Sequence, residues 1–403
     1  MQLVAPLLPR DYPASVAPEY ASYAAWIMVH NALGAAAGTL SMQALLVSAG
    51  VGATAATPAA AALNWCLKDG AGQVATIASA YAVAHRFDAH PKQWRLAAGW
   101  LENGARLLEM YAPYAPALFL PLASVSAVGK AVACLAASAS KAALHLSLSR
   151  AHGNLADLTA KAGAQAVVSQ LVGTAAGLAL SVAVTLPHPH TAPVVGALLA
   201  AGHMGTLARA LRCVTLNVVD APKADALARA YIARERLPSP PELSAMDDGL
   251  LPPLAERGAS TTLVFSRPLD AIAPDAKALG ALLDGARARG YVLAPCARAD
   301  GGARARGLLL DGAPPSAALV AHLHAYRLAL ELDAGARPGD ALARAHAYAA
   351  AHRRAYMEAL DRAGWEVAHT LLDTGERLAL VPPDGERPIT PPQQPDGNGV
   401  RRD

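Results

Sequence analysis

The sequence predicts a mainly α protein: a multi-helix bundle, membrane-embedded or membrane-associated, followed by a small α+β C-terminal domain. Three observations lead there. Hydrophobic residues make up 54% of the 403-residue chain and charged residues only 16%. Four apolar runs, each near the 20 residues a bilayer span requires, crowd the first half. Beyond Leu237 the character changes, with Pro238, Pro240, Pro241, Pro252 and Pro253 opening a charged, Arg-rich region. Much of the apolar fraction is alanine, which is small and strongly helix-forming, so composition alone overstates the affinity for lipid.

Residues 1–237 are read as the helical domain, with candidate spans at 26–51, 114–139, 164–186 and 191–211. The third contains no charged residue, whereas the others carry His30, Asn31 and Gln43, then Pro121 and Lys130, then His203 and Arg209, each costly in hydrocarbon. Tyr20, Tyr23 and Trp26, with Tyr111 and Tyr114, fit either an interfacial belt or core packing. Burial of all four runs inside a large bundle remains the alternative to insertion. Residues 92–110 read as an amphipathic helix, with Trp94, Ala97, Ala98, Leu101, Ala105 and Leu108 on one side and Arg95, Glu102, Arg106 and Glu109 on the other. Such a helix lies on a membrane surface or packs on its neighbours.

Residues 238–258 form a Pro-rich linker, residues 259–383 the α+β domain, and residues 384–403 a tail whose Pro, Gly, Gln and Asn content predicts disorder. Within the domain, strands are expected at 260–266, 291–296, 306–311 and 377–381, and helices at 275–289, 315–332 and 338–363.

Composition also excludes. The net charge of +3 is well mixed, with no basic block to follow a phosphate backbone, so nucleic acid is not an expected partner. Cys66, Cys134, Cys213 and Cys296 are widely spaced, which predicts free thiols, three of them in apolar helical settings where burial is ordinary, and no structural metal. Residues 1–11 show neither a signal nor a transit pattern. The sequence holds no P-loop, GxSxG or HExxH, and no nucleophile paired with a base. No cofactor or catalytic residue is expected, and the reading leans away from an enzyme.

Three polar clusters are the candidate ligand or interface residues. Lys68, Asp69 and Gly70 follow an apolar run, where the ions can pair and the glycine can relieve a close backbone approach. Asp88, Pro91, Lys92, Trp94 and Arg95 set an acid, two bases and an indole at a helix entry, suited to a phosphate or an anionic headgroup, or to capping by Asp88. His152, Asn154, Asp157 and Lys161 form the third. On a continuing helix the last three share one face, giving a polar stripe between apolar helices; in a loop, Asn154 serves as a cap.

The strings LNWCLKDGAGQ (63–73), FDAHPKQWR (87–95) and RAHGNLADLTAKAGAQ (150–165) resemble, in this order and spacing, defining stretches of the ROOT UVB SENSITIVE (RUS) family. PRDYPASVAPEYASY and MYAPYAPALFLPLAS extend the likeness. The resemblance implies a membrane-associated protein linked to UV-B response, development and vitamin B6 homeostasis, acting in a complex with a homologous partner and without an assigned reaction. Plant members commonly carry a plastid transit peptide. The competing expectation is a transporter or enzyme for a small anionic or phosphorylated ligand or a lipid, with its site between helices.

Overall fold

The computed structural model describes residues 5–49, 58–83, 91–150, 154–244, 262–265, 285–297 and 303–370, with a few isolated positions besides. The chain divides into two compact units, 1–218 with 239–258, and 219–238 with 259–403.

The first unit holds six long helices: α1 (Tyr20–Ser48), α2 (Pro58–Val83), α3 (Pro91–Tyr111), α4 (Phe119–Leu148), α5 (Leu155–Leu180) and α6 (Ala192–Cys213). Alanine-rich composition favours each of them. Pro91 opens α3, and a proline sits in the first turn of α6, where the missing N–H leaves no bond unmade. A single π-helical turn, Ser181–Thr185, follows α5.

Helix α1 is the hub, packing on α5, α6 and α3, while α3 packs on α4 and α6, and α2 on α4. Small residues set the closest approach. A Cβ at Gly173 would run into the carbonyl of Ala32, and one at Gly177 would lie 2.8 Å from the Ala36 oxygen. Gly173 and Gly177 thus face Ala32 and Ala36, all at four-residue spacing, so the α1 and α5 backbones meet without side chains between them. At the other end, Tyr20, Tyr23, Leu96, Leu144, Leu148, Leu158, Leu207 and Leu211 form the main apolar cluster.

Three helical stretches, Pro116–Leu148, Leu155–Thr185 and Pro189–Cys213, are long and apolar enough to cross a membrane, and a third or less of each one's most apolar window is buried. They coincide with three of the four expected runs. Helix α1 falls below the same measure, and its buried face includes His30, Ser41, Tyr20 and Tyr23.

The expected amphipathic helix exists as α3, and parts of both sides are buried: Ala98 and Ala105 of the apolar stripe, but also Asn103 and Glu109, whereas Trp100 is 54% exposed and Leu101 42%. Its neighbours account for the buried polar groups. They are apolar nearly all round, so the few polar groups they carry find partners only on the polar side of α3.

The second unit begins with α7 (Ala221–Ile232), N-capped by Asp220, whose Oδ1 accepts from the Lys223 amide at 3.0 Å. A three-stranded sheet follows in the order β1 (Leu263–Phe265), β3 (Ala303–Leu309), β2 (Tyr291–Ala297). β1 runs parallel to β3 with Leu263 opposite Ala305, and β2 antiparallel with Tyr291 opposite Leu309. Helix α8 (Ser316–Asp333) packs on all three strands, on α7 and on α9 (Pro338–Arg362). A further strand spans Glu366–Thr370. Of the helix expected at 275–289, the described residues include helical Gly280, Leu282 and Leu283 and the turn Ala286–Arg289, and the strand expected at 377–381 and the tail lie outside the described residues except for Leu378, which bridges Leu310.

Helix α7, grouped by sequence with the first half, is tied to the second unit by the Asp225 carboxylate. It takes the His322 Nδ1–H at 2.9 Å and the Thr262 amide, while the Tyr231 ring lies edge-on to Tyr356 at 4.9 Å. His324, two residues on, turns elsewhere, to the Tyr291 hydroxyl at 3.3 Å and the His346 ring at 5.8 Å. The cysteines correct an expectation: all four are free, but Cys66 and Cys134 are exposed and Cys213 and Cys296 half-exposed, because each lies off the packed face of its element.

Two predictions come from this packing. Gly173→Ala destabilises by about 1–3 kcal/mol through forced separation of α1 and α5, while Gly163→Ala, with open space around it, is neutral or gains up to about 1 kcal/mol; paired thermal melts give the ranking. Burial, aided by His346 and Arg289, lowers the His324 pKa from its ordinary 6.5 to about 3. The unfolded chain then binds the extra proton between those values. Stability of the second unit therefore falls as pH drops from about 6.5 toward 3, by up to about 1.4 kcal/mol per unit. Urea titrations of His324→Phe against the parent should show a flatter pH slope, and an unchanged slope would reject the assignment.

Candidate functional site

Of the residues singled out in the sequence, Asp88 and His152 lie outside the described residues. The rest fall on three separate elements. Lys68, in α2, is buried and pairs with its neighbour Asp69, with its ammonium 4.6 Å from the Trp65 ring centroid. Gly70 has open space where a Cβ would stand, so it relieves no approach. Gly72 does so instead, since a Cβ there would come within 3.2 Å of the Ala127 carbonyl oxygen on α4. Pro91 and Lys92 are buried in the first turn of α3, and Lys92 donates to the Ser244 hydroxyl at 2.9 Å. Trp94 packs on the small-residue contact of Ala98 with Ala133 and Ala136.

The third cluster is a stripe on one face of α5, as expected, but what it meets is the chain's own N-terminal segment. Asp157 accepts from the Arg10 amide at 2.7 Å, and Lys161 donates to the Pro6 carbonyl at 2.8 Å. Asn154 donates to the Ser15 carbonyl at 3.2 Å and makes no capping bond. Gln165 completes the stripe with bonds to the Leu7 carbonyl at 2.7 Å and the Tyr20 hydroxyl at 3.1 Å. Every one of these segment contacts is to backbone. The polar groups are spent on holding residues 6–15.

Only Arg95 joins a larger assembly. The inward face of α3 carries, in order, Arg95, Asn103, Arg106 and Glu109, and across from them stand His30 and Ser41 of α1, His203 of α6 and Lys130 of α4. The His30 and His203 rings stack 3.7 Å apart at 12°. Hydrogen bonding fixes their tautomers. His30 Nδ1 lies 3.0 Å from the His203 carbonyl and must donate, which leaves Nε2 to accept from Arg95 at 3.3 Å. The Asn103 amide nitrogen gives one hydrogen to the Gly99 carbonyl at 2.9 Å and the other to His203 Nδ1 at 3.0 Å, so Nε2 of that ring bears its proton. Both rings are neutral. Gly34 makes room, since a Cβ there would come within 2.9 Å of His203 Nε2.

Two ion pairs complete this seam. Arg106 bonds Glu102 one turn earlier at 2.6 Å. Glu109, with no exposed side-chain surface, accepts from Lys130 and from Ser41. Asn103 Oδ1 and Arg106 Nη1 stay buried with no partner among the described residues, each a cost of about 1–3 kcal/mol that a purely structural seam would be expected to shed. Among the described residues, no group of three His, Cys, Asp or Glu side chains is arranged to hold a metal.

The sequence reading missed the seam because it counted His30, Lys130 and His203 as defects in separate apolar runs. One polar residue per run, facing a helix with a polar stripe, was the available signal.

The model of the vitamin B6 photo-protection and homoeostasis domain matches residues 1–235, all six helices included. The chain belongs to the root UVB sensitive (RUS) family. Root UVB sensitive 3 of Arabidopsis thaliana is 29% identical over 65% of this chain and 58% of its own length. Root UVB sensitive 2, chloroplastic, of the same plant is 30% identical over 62% and 57%. RUS family member 1 of Dictyostelium discoideum is 31% identical over 60% and 46%. The chain thus spans about half the length of these RUS relatives. No solved structure matches it.

The Glu109–Lys130 pair yields an asymmetric prediction for this RUS chain. Lys130, with a side chain 35% exposed, can reach water if Glu109 is lost, so Glu109→Gln costs about 1–2 kcal/mol. Lys130→Met strands a fully buried carboxylate and costs about 3–5 kcal/mol. Denaturant unfolding of both single variants and the double should show the double less impaired than Lys130→Met alone.

Proposed function

We propose that this RUS chain is an integral membrane protein without enzymatic activity that serves UV-B response and vitamin B6 homeostasis in a complex with a homologous partner. The observation that carries the reading is the distribution of polarity in the first unit. Large apolar side chains point away from the protein on α5, the π-helical turn after it and α6, with Leu171 67%, Val172 61%, Val182 59%, Val194 62% and Leu198 70% exposed, while charged and imidazole groups are turned inward. A protein folded in water bears the opposite pattern. In lipid the arrangement costs little, since the acyl chains cover the apolar faces and the seam satisfies most of its own polar groups. The chloroplastic name of one Arabidopsis relative makes a plastid membrane the compartment to examine first.

A second reading, a carrier or enzyme for a small anionic or phosphorylated ligand, is favoured by the seam itself. Ionisable groups enclosed by membrane helices line ion and substrate paths. The unsatisfied atoms of Asn103 and Arg106 fit that use.

Alkaline carbonate extraction tests the membrane reading. The protein should stay in the pellet, and Leu171→Arg with Val172→Arg, each adding about 2.5–3.5 kcal/mol to insertion, should move a large share to the supernatant. Complete release of the parent protein would defeat the proposal. Affinity purification from the native host tests the partner: a homologous RUS chain should co-elute in stoichiometric amount.

A further inference from the structure

Positive charge goes uncompensated where α1, α3 and α4 meet. Among the described residues, Arg95 has one hydrogen-bonding partner, the neutral His30 ring at 3.3 Å. The acids of the seam are already engaged, Glu102 by Arg106 and Glu109 by Lys130 and Ser41. On α4, Lys141 likewise has no acidic partner among the described residues. Both cations are half-buried.

Packing brings the two together. The antiparallel register of α3 and α4 sets Ala105 against Ser126 and Gly129, and Ala98 against Ala133 and Ala136. Carried one turn further, it brings Arg95 to the level of Ser140 and Lys141. From α1, Tyr23 shares the cluster of Leu96 and Leu144, the immediate neighbour of Arg95 on α3 and a residue one turn from Lys141 on α4. Tyr23 is 5% exposed, and its hydroxyl has no hydrogen-bond partner among the described residues.

A half-buried pair of like charges is unfavourable unless something neutralises it. The groups on hand are a guanidinium fork, an ammonium and a phenolic O–H, all donors, with no carboxylate among them. That is the complement of a tetrahedral oxyanion. We propose that Arg95, Lys141 and Tyr23 form a binding site for a phosphate group, borne by a small molecule or by a lipid headgroup. The site deepens the small-anion reading of the seam and is independent of the partner reading.

The test uses the full chain in detergent micelles, titrated calorimetrically with inorganic phosphate, and the same chain in neutral-lipid nanodiscs with and without phosphatidic acid. Saturable binding is expected in one arm, which identifies the source of the phosphate. Arg95→Gln and Lys141→Met should each weaken it by at least about tenfold and Tyr23→Phe by about tenfold, whereas Lys161→Ala, whose ammonium serves the N-terminal segment, should leave it unchanged. A readout free of folding artefacts accompanies this. Without phosphate, Lys141→Met should melt above the parent, because it removes an uncompensated charge, and added phosphate should raise the melting temperature of the parent only. Binding that survives all three substitutions, or a Lys141→Met protein that melts lower and still responds to phosphate, overturns this site while leaving the small-anion reading. Absence of saturable binding to phosphate and to phosphatidic acid by the parent overturns both.

Discussion

The first unit is organised by the need to bury the polar side of α3. Its neighbours α1, α4 and α6 are apolar over most of their surface, yet each carries an isolated polar group: His30 and Ser41, Lys130, His203. None of these can be left unpartnered among aliphatic side chains without a cost of several kcal/mol. Helix α3 supplies Arg95, Asn103, Arg106 and Glu109 at matching heights, so one face of one helix answers three others. Once that face is inward, Trp100 and Leu101 must be outward.

The other contacts fit around this arrangement. The glycine pair of α5 lets that helix lie directly on α1, and on α1 His30 and Ser41 meet Arg95 and Glu109 of α3. Gly34 leaves space for the His203 ring over the α1 backbone. The stacked imidazoles then make α6 a third wall of the seam. Tight packing and polar satisfaction are therefore coupled: a wider α1–α5 spacing would withdraw partners from α3 as well as weaken van der Waals contact.

Much of this was legible in the sequence. Apolar Ala-rich runs marked α1, α4, α5 and α6, proline positions marked the starts of α8 and α9, and three runs qualify by length and hydropathy as spans, whereas α2 and α7 were given no bounds. The sheet strands were marked by short apolar runs. What periodicity could not give was direction. An amphipathic pattern says that α3 has two faces, but which one is inside depends on whether the surroundings are water or aliphatic, and that is a property of the other helices. The spacing of Asn154, Asp157 and Lys161 correctly put them on one face, yet their partners are backbone amides and carbonyls more than a hundred residues away in sequence, and a backbone partner leaves no trace in side-chain pattern. The GTAAG string on α5 carried a small-residue spacing that was readable and was overlooked.

The hold on the N-terminal segment has its own implication. Asn154, Asp157, Lys161 and Gln165 grip amides and carbonyls of residues 6–15, and Ala17 and Arg150 add main-chain bonds to Leu148 and Ser15. Those bonds would survive a change of side chain in the segment, so substitutions there act through packing instead, since Leu8 leans on the main apolar cluster and Pro9 and Ser15 are buried. The path of residues 6–15 is thus held twice, by backbone recognition from α5 and by the few side chains that turn inward.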